Sequence, residues 1–201
     1  MKNILATILF VIITTSCFAQ KDSLDDNKFQ SPGWFTGGNV TFGLGGYNNR
    51  FVAGLNPHFG YTLSKWSDAG VVVNFQYQSS KDFYGNKYRY KTYGLGAFTR
   101  LYPVRFLFVQ VQPEYNFTAL KFIPFNGTTT KDNVSDPSLL LGVGYAGSRS
   151  SYSNTFSYIS ILFDVLEKTN SPYVDGNGKL IPVVRAGFNI GIRKKQPRTF
   201  D

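Results

Sequence analysis

The sequence predicts an all-β protein: a closed antiparallel eight-stranded transmembrane up-and-down β-barrel. Three observations predict it. Apolar and polar side chains alternate over runs of about ten residues, no window beyond the first twenty residues has helical spacing, and the polar set consists largely of Asn, Gln and Gly. In the run Leu107, Val109, Val111, Tyr115, Phe117, the interleaved positions are Phe108, Gln110, Gln112, Glu114 and Asn116. That is the period-two pattern of a strand with one oily and one wet face.

The chain opens with Met1-Lys2-Asn3 and the apolar run Ile4 to Ile13. This charged start and short apolar core form a secretory signal, too short to cross a bilayer as a helix. Small side chains at Cys17 and Ala19 place cleavage after Ala19, so 1–19 is read as a signal peptide. The alternative use of Cys17, as an acylated lipoprotein residue, is disfavoured because Thr14-Thr15-Ser16 lacks the Leu and small-residue pattern of such signals. Residues 20–32 are polar and are read as a flexible periplasmic lead-in, 33–193 as the barrel, and 194–201 as a short basic periplasmic tail.

Strands are expected at 34–45, 51–63, 69–79, 88–102, 106–120, 138–147, 155–166 and 181–192. Each approaches or exceeds the roughly 9–11 residues that cross a bilayer at a tilt of about 45°. The connections 64–68, 103–105 and 148–154 are short or compact, whereas 80–87, 121–137 and 167–180 are longer and rich in Gly, Asn, Lys and Asp. Only the first connection, 46–50, is brief on the long-loop side. Short turns at one end and long loops at the other fit a barrel with both termini in the periplasm.

Facing follows from the alternation. Val40, Phe42 and Leu44 point out with Asn39 and Thr41 in; Val71, Val73, Phe75 and Tyr77 point out with Asn74, Gln76 and Gln78 in. Near the C-terminus Val184, Ala186, Phe188, Ile190 and Ile192 point out with Arg185 and Asn189 in. Trp34, Tyr61, Trp66, Tyr93, Tyr102 and Tyr145 lie toward strand ends, where an aromatic girdle belongs. Pro57 and Pro113 fall inside strands and call for bulges or a locally open ladder.

A lumen polar network of Asn39, His58, Asn74, Glu114, Asp164 and Arg185 is expected. Symmetric pairing about the turns sets His58 opposite Asn39 and Asn74, Glu114 between Gly94 and about Gly144, and Asp164 close to Arg185. An eight-stranded barrel has room inside only for side chains, so these groups should satisfy one another rather than line a channel.

The formal charge of +9 would suggest nucleic acid in an intracellular chain; the export signal removes that reading. Lys81, Lys87, Arg89 and Lys91 cluster around one loop, and Arg193, Lys194, Lys195 and Arg198 in the tail, where outer-membrane lipids and lipopolysaccharide phosphates are the expected partners. One cysteine and one histidine leave no set for a thiolate or imidazole metal site, and no phosphate loop, dinucleotide motif or carboxylate cluster marks a catalytic or cofactor site.

The glycine-rich runs Gly94-Leu95-Gly96-Ala97-Phe98 and Gly142-Val143-Gly144-Tyr145, the leader ending Cys17-Phe18-Ala19-Gln20, and the closing Ala186-Gly187-Phe188-Asn189-Ile190-Gly191-Ile192 complete the pattern. With them the chain resembles the eight-stranded outer-membrane β-barrel family of Gram-negative bacteria, the OmpA/OmpX-type barrels and their relatives. It departs from them by continuing past the last strand as Arg193 to Asp201, with Phe200 outside any strand. The resemblance implies a monomer of the cell outer membrane, not an enzyme and without cofactor. Its role would be structural, or interaction with an extracellular ligand or protein through the long loops.

Two alternatives stay open on the residues. Some barrels of this kind modify lipid A, but His58 is followed by Phe59-Gly60 and lacks a serine at the second position after it. A lipocalin-like soluble barrel would turn the same alternation inside out around a small apolar ligand. Strand length and the scarcity of charge on the wet face favour the membrane barrel.

Overall fold

The computed structural model describes residues 32–45, 50–147, 149, 154–168, 170–174 and 180–192, so the expected leader, the tail and most of the lead-in lie outside it. The described chain runs as β1 (Gly33–Gly45), β2 (Arg50–Ser64), β3 (Ser67–Lys81), β4 (Lys87–Val104), β5 (Leu107–Ile123), β6 (Thr130–Gly147), β7 (Phe156–Asp164) and β8 (Val183–Gly191). Each strand pairs antiparallel with the next. β1 closes the ring on β8, from Phe35 opposite Gly191 to Thr41 opposite Arg185.

The alternation explains both faces. Aliphatic and aromatic side chains stand outward on strand after strand: Val40 52%, Leu95 62%, Val143 61%, Ile159 50% and Phe188 53% exposed. On β5 the burial alternates without a break from Leu107 to Ala119. A water-soluble sandwich or barrel buries its apolar side; this one presents it.

Two strand proportions differ from expectation. The stretch 121–137 is mostly ladder: β5 runs to Ile123 and β6 begins at Thr130, leaving only 124–129 as the turn. Its residues, including Lys121, Lys131, Asp132 and Asn133, show no apolar alternation because a strand exposed on both faces has no oily side to declare. Lys87, expected at the end of the connection 80–87, likewise stands in β4, which continues through Arg89 and Lys91. β7 and β8 are the shortest strands, and between them lies the one long connection among the described residues at that end, 165–182. The β3–β6 sheet therefore rises beyond the rest of the rim.

Neither proline shifts the register. Between β2 and β3 the ladder skips from Leu55–Phe75 to His58–Val72 across Pro57, and between β4 and β5 from Gly96–Glu114 to Thr99–Val111 across Pro113. On their other sides the prolines stay in register, opposite Gly38 and Leu139. The ladder opens locally on one side of each proline, the cheaper of the two accommodations because it leaves every neighbouring side chain on its proper face.

Glycines on the inward face make room for the large lumen side chains. A Cβ on Gly144 would run into the Phe108 ring, and one on Gly94 into the Asn116 carboxamide.

Candidate functional site

The lumen is filled in layers. At the end holding the β2–β3 and β4–β5 turns, Tyr102, Phe108, Ala146, Phe156 and Tyr158 form a buried cluster. Arg149, from the segment between β6 and β7, lies across it with its guanidinium 3.6 Å from the Tyr102 ring centre. Arg149 donates to the Lys65 carbonyl at 2.9 Å and meets Asp68 at 3.5 Å; Asp68 accepts the Tyr102 hydroxyl at 2.7 Å.

Above it Arg100 sits over the rings of Tyr158, Phe98 and Phe108 at 4.2, 4.8 and 5.3 Å and donates to Gln110 Oε1 at 2.9 Å. From there the inward residues of β5 form a relay: Gln110 donates to Gln112, which donates to Glu114. Glu114 is the hub of the upper layer. It takes Arg185 Nη2 at 3.2 Å on one oxygen, and the Tyr173 hydroxyl at 2.7 Å and Asn116 Nδ2 at 3.3 Å on the other.

Tyr173 comes from the 165–182 connection, which folds into the mouth of the barrel. The chain turns there with Glu167 in the left-handed region, φ 48°. Tyr173 joins Leu140, Leu162 and Val183 in a second buried cluster, while Ser171 donates to Asp164 at 2.6 Å. Asp164 also accepts the backbone N–H of Leu139 at 2.9 Å and of Leu166 at 3.2 Å. Burial and the adjacent Glu114 carboxylate hold the Tyr173 hydroxyl well above the ordinary phenol range, so it remains a donor to that carboxylate. Replacing Tyr173 with phenylalanine is expected to cost about 1–3 kcal/mol, the loss of a hydrogen bond to a charged acceptor, read as a lower urea midpoint.

All six residues expected in the polar network face the lumen, but their partners differ from the symmetric pairing. Asn39 is opposite Asn56, whose amide reaches Asn39 Oδ1 at 2.7 Å, and His58 is opposite Gly37 and Val72. His58 Nε2 lies 2.8 Å from Asn189 Oδ1, with the rings of Phe35, Phe98 and Tyr158 around it. Asn74 is opposite Gly94, its buried amide without a protein partner among the described residues. Glu114 stands between Gly96 and Ser138, not Gly94 and Gly144. Arg185 is opposite Ser160 and pairs with Glu114, whereas Asp164 holds the 165–182 connection. Each misplacement is an even number of residues, which preserves the face and changes only the rung.

Sequence reasoning missed Arg100, Tyr158, Tyr173, Ser171 and Arg149. Parity alone could have found Arg100, since Thr99 and Leu101 point outward on either side of it. Tyr173 carries no such signal, because it lies outside any alternating run. Three arginines, Arg100, Arg149 and Arg185, thus share these layers with three carboxyl residues, Asp68, Glu114 and Asp164.

Five of the six expected girdle residues lie on or near the outer surface. Trp34 stacks on Phe59 at 5.1 Å and meets Tyr61 at 4.8 Å, and Trp66 and Tyr145 lie toward the same end. Tyr93 belongs to a second belt with Phe75, at 6.0 Å, and Phe117 directly across. Tyr102 is the exception: it is 3% exposed and points inward, as the parity of β4 demands for a residue in phase with Phe98 and Arg100. From the Tyr102 level to Tyr93, β4 rises about 20 Å along the barrel axis at roughly 3.3 Å per residue and a tilt near 45°.

At the protruding tip, Phe83, Tyr84 and Phe125 are 97%, 80% and 74% exposed. The two turns carrying them are tied together. Asn86 accepts the Phe125 N–H at 3.0 Å on its side-chain oxygen and donates its own amide to Asp82 at 2.8 Å.

No family model matches the chain, and no curated protein matches it. Among solved structures it is similar to the crystal structure of Ail, the attachment invasion locus protein of Yersinia pestis, in complex with the heparin analogue sucrose octasulfate. Identity is 13%, with 80% of this chain and 94% of that chain covered, at a TM-score of 0.42.

Proposed function

We propose that this chain is an integral outer-membrane β-barrel with a structural or surface-interaction role, exported by a cleavable signal peptide and acting through the end of the barrel that carries the protruding sheet. The observation that carries the reading is the outward wall of Val, Leu, Ile and Phe side chains between two aromatic belts. An apolar band of this kind bounded by aromatics suits a bilayer, with the rings at the headgroup level.

A filled lumen argues against transport. Glu114, Arg185 and Tyr173 bond one another across the lumen, and Arg100 fills the layer beside the Tyr158 ring. Interaction is then left to the tip, where Phe83, Tyr84 and Phe125 stand in water on turns braced by Asn86. Exposed rings held rigid lose little entropy when a ligand or protein covers them.

The lipid-modifying alternative needs a nucleophile beside its base. Around His58 stand the Asn189 carboxamide and three aromatic rings. His58→Ala is expected to leave the lipid A acyl pattern unchanged in mass spectra; a changed pattern would establish the enzyme instead.

Membrane residence is tested by fractionation and gel mobility. The chain is expected in the outer-membrane pellet after a salt wash, migrating differently before and after boiling. Release by salt with identical mobility in both samples refutes the reading.

A further inference from the structure

On the outer face of the protruding sheet, three cations stand directly across from one another on adjacent strands: Arg89 of β4 opposite Lys121 of β5, and Lys121 opposite Lys131 of β6. Lys91 stands one rung below Arg89, flanked in register by Tyr77 and Ala119. Together they line a cleft of 590 Å³ that also takes in Asn133 and Asp132. None of the four cations has a carboxylate partner among the described residues. Like charges placed opposite one another across strands repel, so three in a row make a sheet that is relieved when an anion sits between them.

The height of this row on the wall indicates which anion. It shares its outward face and its strands with the Phe75, Tyr93, Phe117 belt, two rungs lower. Two rungs are four residues, about 13 Å along a strand and about 9 Å along the axis. Below the belt the same face continues as Val73, Leu95 and Tyr115, each more than a third exposed. A molecule with a phosphate in the cleft would have its acyl chains lying on that apolar wall, which a free anion lacks.

We propose that Arg89, Lys91, Lys121 and Lys131 form a binding site for the phosphate of a phosphorylated glycolipid in the surrounding membrane, its acyl chains packed on the wall beneath. The site rests on the membrane-spanning reading. It places the lipid against the base of the protruding sheet and away from the aromatic tip, so lipid bound there fixes the sheet's height above the bilayer and leaves the tip free.

The test uses the full barrel refolded into phosphatidylcholine vesicles with or without diphosphorylated lipid A. Diphosphorylated lipid A is expected to raise the temperature at which the heat-modified band appears, and dephosphorylated lipid A to have no such effect. The triple variant Arg89→Gln/Lys121→Gln/Lys131→Gln is expected to insert normally and to bind the diphosphorylated lipid about a hundredfold more weakly, in keeping with the contribution of single cations at an anionic membrane surface. The charge-matched control Lys65→Gln/Arg105→Gln/Lys168→Gln keeps the wild-type response.

An equal loss in both variants, or an equal response to the dephosphorylated lipid, overturns the proposal and leaves the membrane reading intact. Reproduction of the shift by millimolar inorganic phosphate overturns the lipid as occupant. A wild-type chain that stays outside the vesicles overturns the membrane reading and the site with it.

Discussion

Glu114→Ala is expected to destabilise the barrel by about 3–5 kcal/mol, the cost of leaving a buried cation without its partner. The cation is Arg185, 1% exposed, and its Nε and Nη1 already have no protein acceptor among the described residues. Removing the carboxylate also takes an acceptor from Tyr173, Gln112 and Asn116 at once, leaving Asn116 with Ser138. Because Tyr173 anchors the 165–182 connection, the variant should also become protease-sensitive there while the strands stay protected. Urea titration followed by the fluorescence of Trp34 and Trp66 reads the stability, and limited proteolysis reads the connection. Replacing the pair together, Glu114→Gln with Arg185→Met, is expected to cost less than Glu114→Ala alone, since no buried charge is left behind. A Glu114→Ala barrel as stable as wild type refutes the hub.

Val111→Arg is expected to be the most damaging single change on the outer surface, at about 2–4 kcal/mol, the range for a cation at the middle of a lipid-facing wall. Val111 lies between the two aromatic belts, opposite Thr99 and Leu141, and is 38% exposed. For this same outward wall surrounded by water an arginine there would be nearly neutral, so the change separates a wall facing lipid from one facing water. The contrast is Ala119→Arg, two rungs above Tyr115 and beside Lys91, where the added charge stands at headgroup level and should insert normally. Folded yield in vesicles, read as the heat-modifiable fraction, measures both; equal yields for Val111→Arg and wild type refute a lipid-facing wall.

Much of the barrel was legible in the residues because its governing signal is local. Whether Asn74 or Val73 faces inward depends only on alternation, and parity placed every expected lumen residue on the inner face. Parity also contradicts a girdle place for Tyr102, which lies near a strand end but in phase with the inward Phe98 and Arg100. Strand extent was legible only where one face is oily. Above the apolar wall the code falls silent, and 130–137 reads as a loop although it is paired residue by residue with β5.

By itself, the sequence determined the fold class, the strand number and the face presented by the residues of its alternating runs, because side chains on a strand alternate whatever surrounds them. Only the tertiary structure decided which residues meet. The rung on which Asn39, His58 and Glu114 sit depends on the tightness of distant turns and on the bulge near Ser64. The partner of Glu114 across the lumen depends on ring closure between β1 and β8, which no pair of adjacent strands encodes. Tyr173 and Arg149 enter from connections that carry no periodicity. The repeating backbone geometry reports direction and side, whereas contacts between residues far apart in sequence depend on how the whole ring closes.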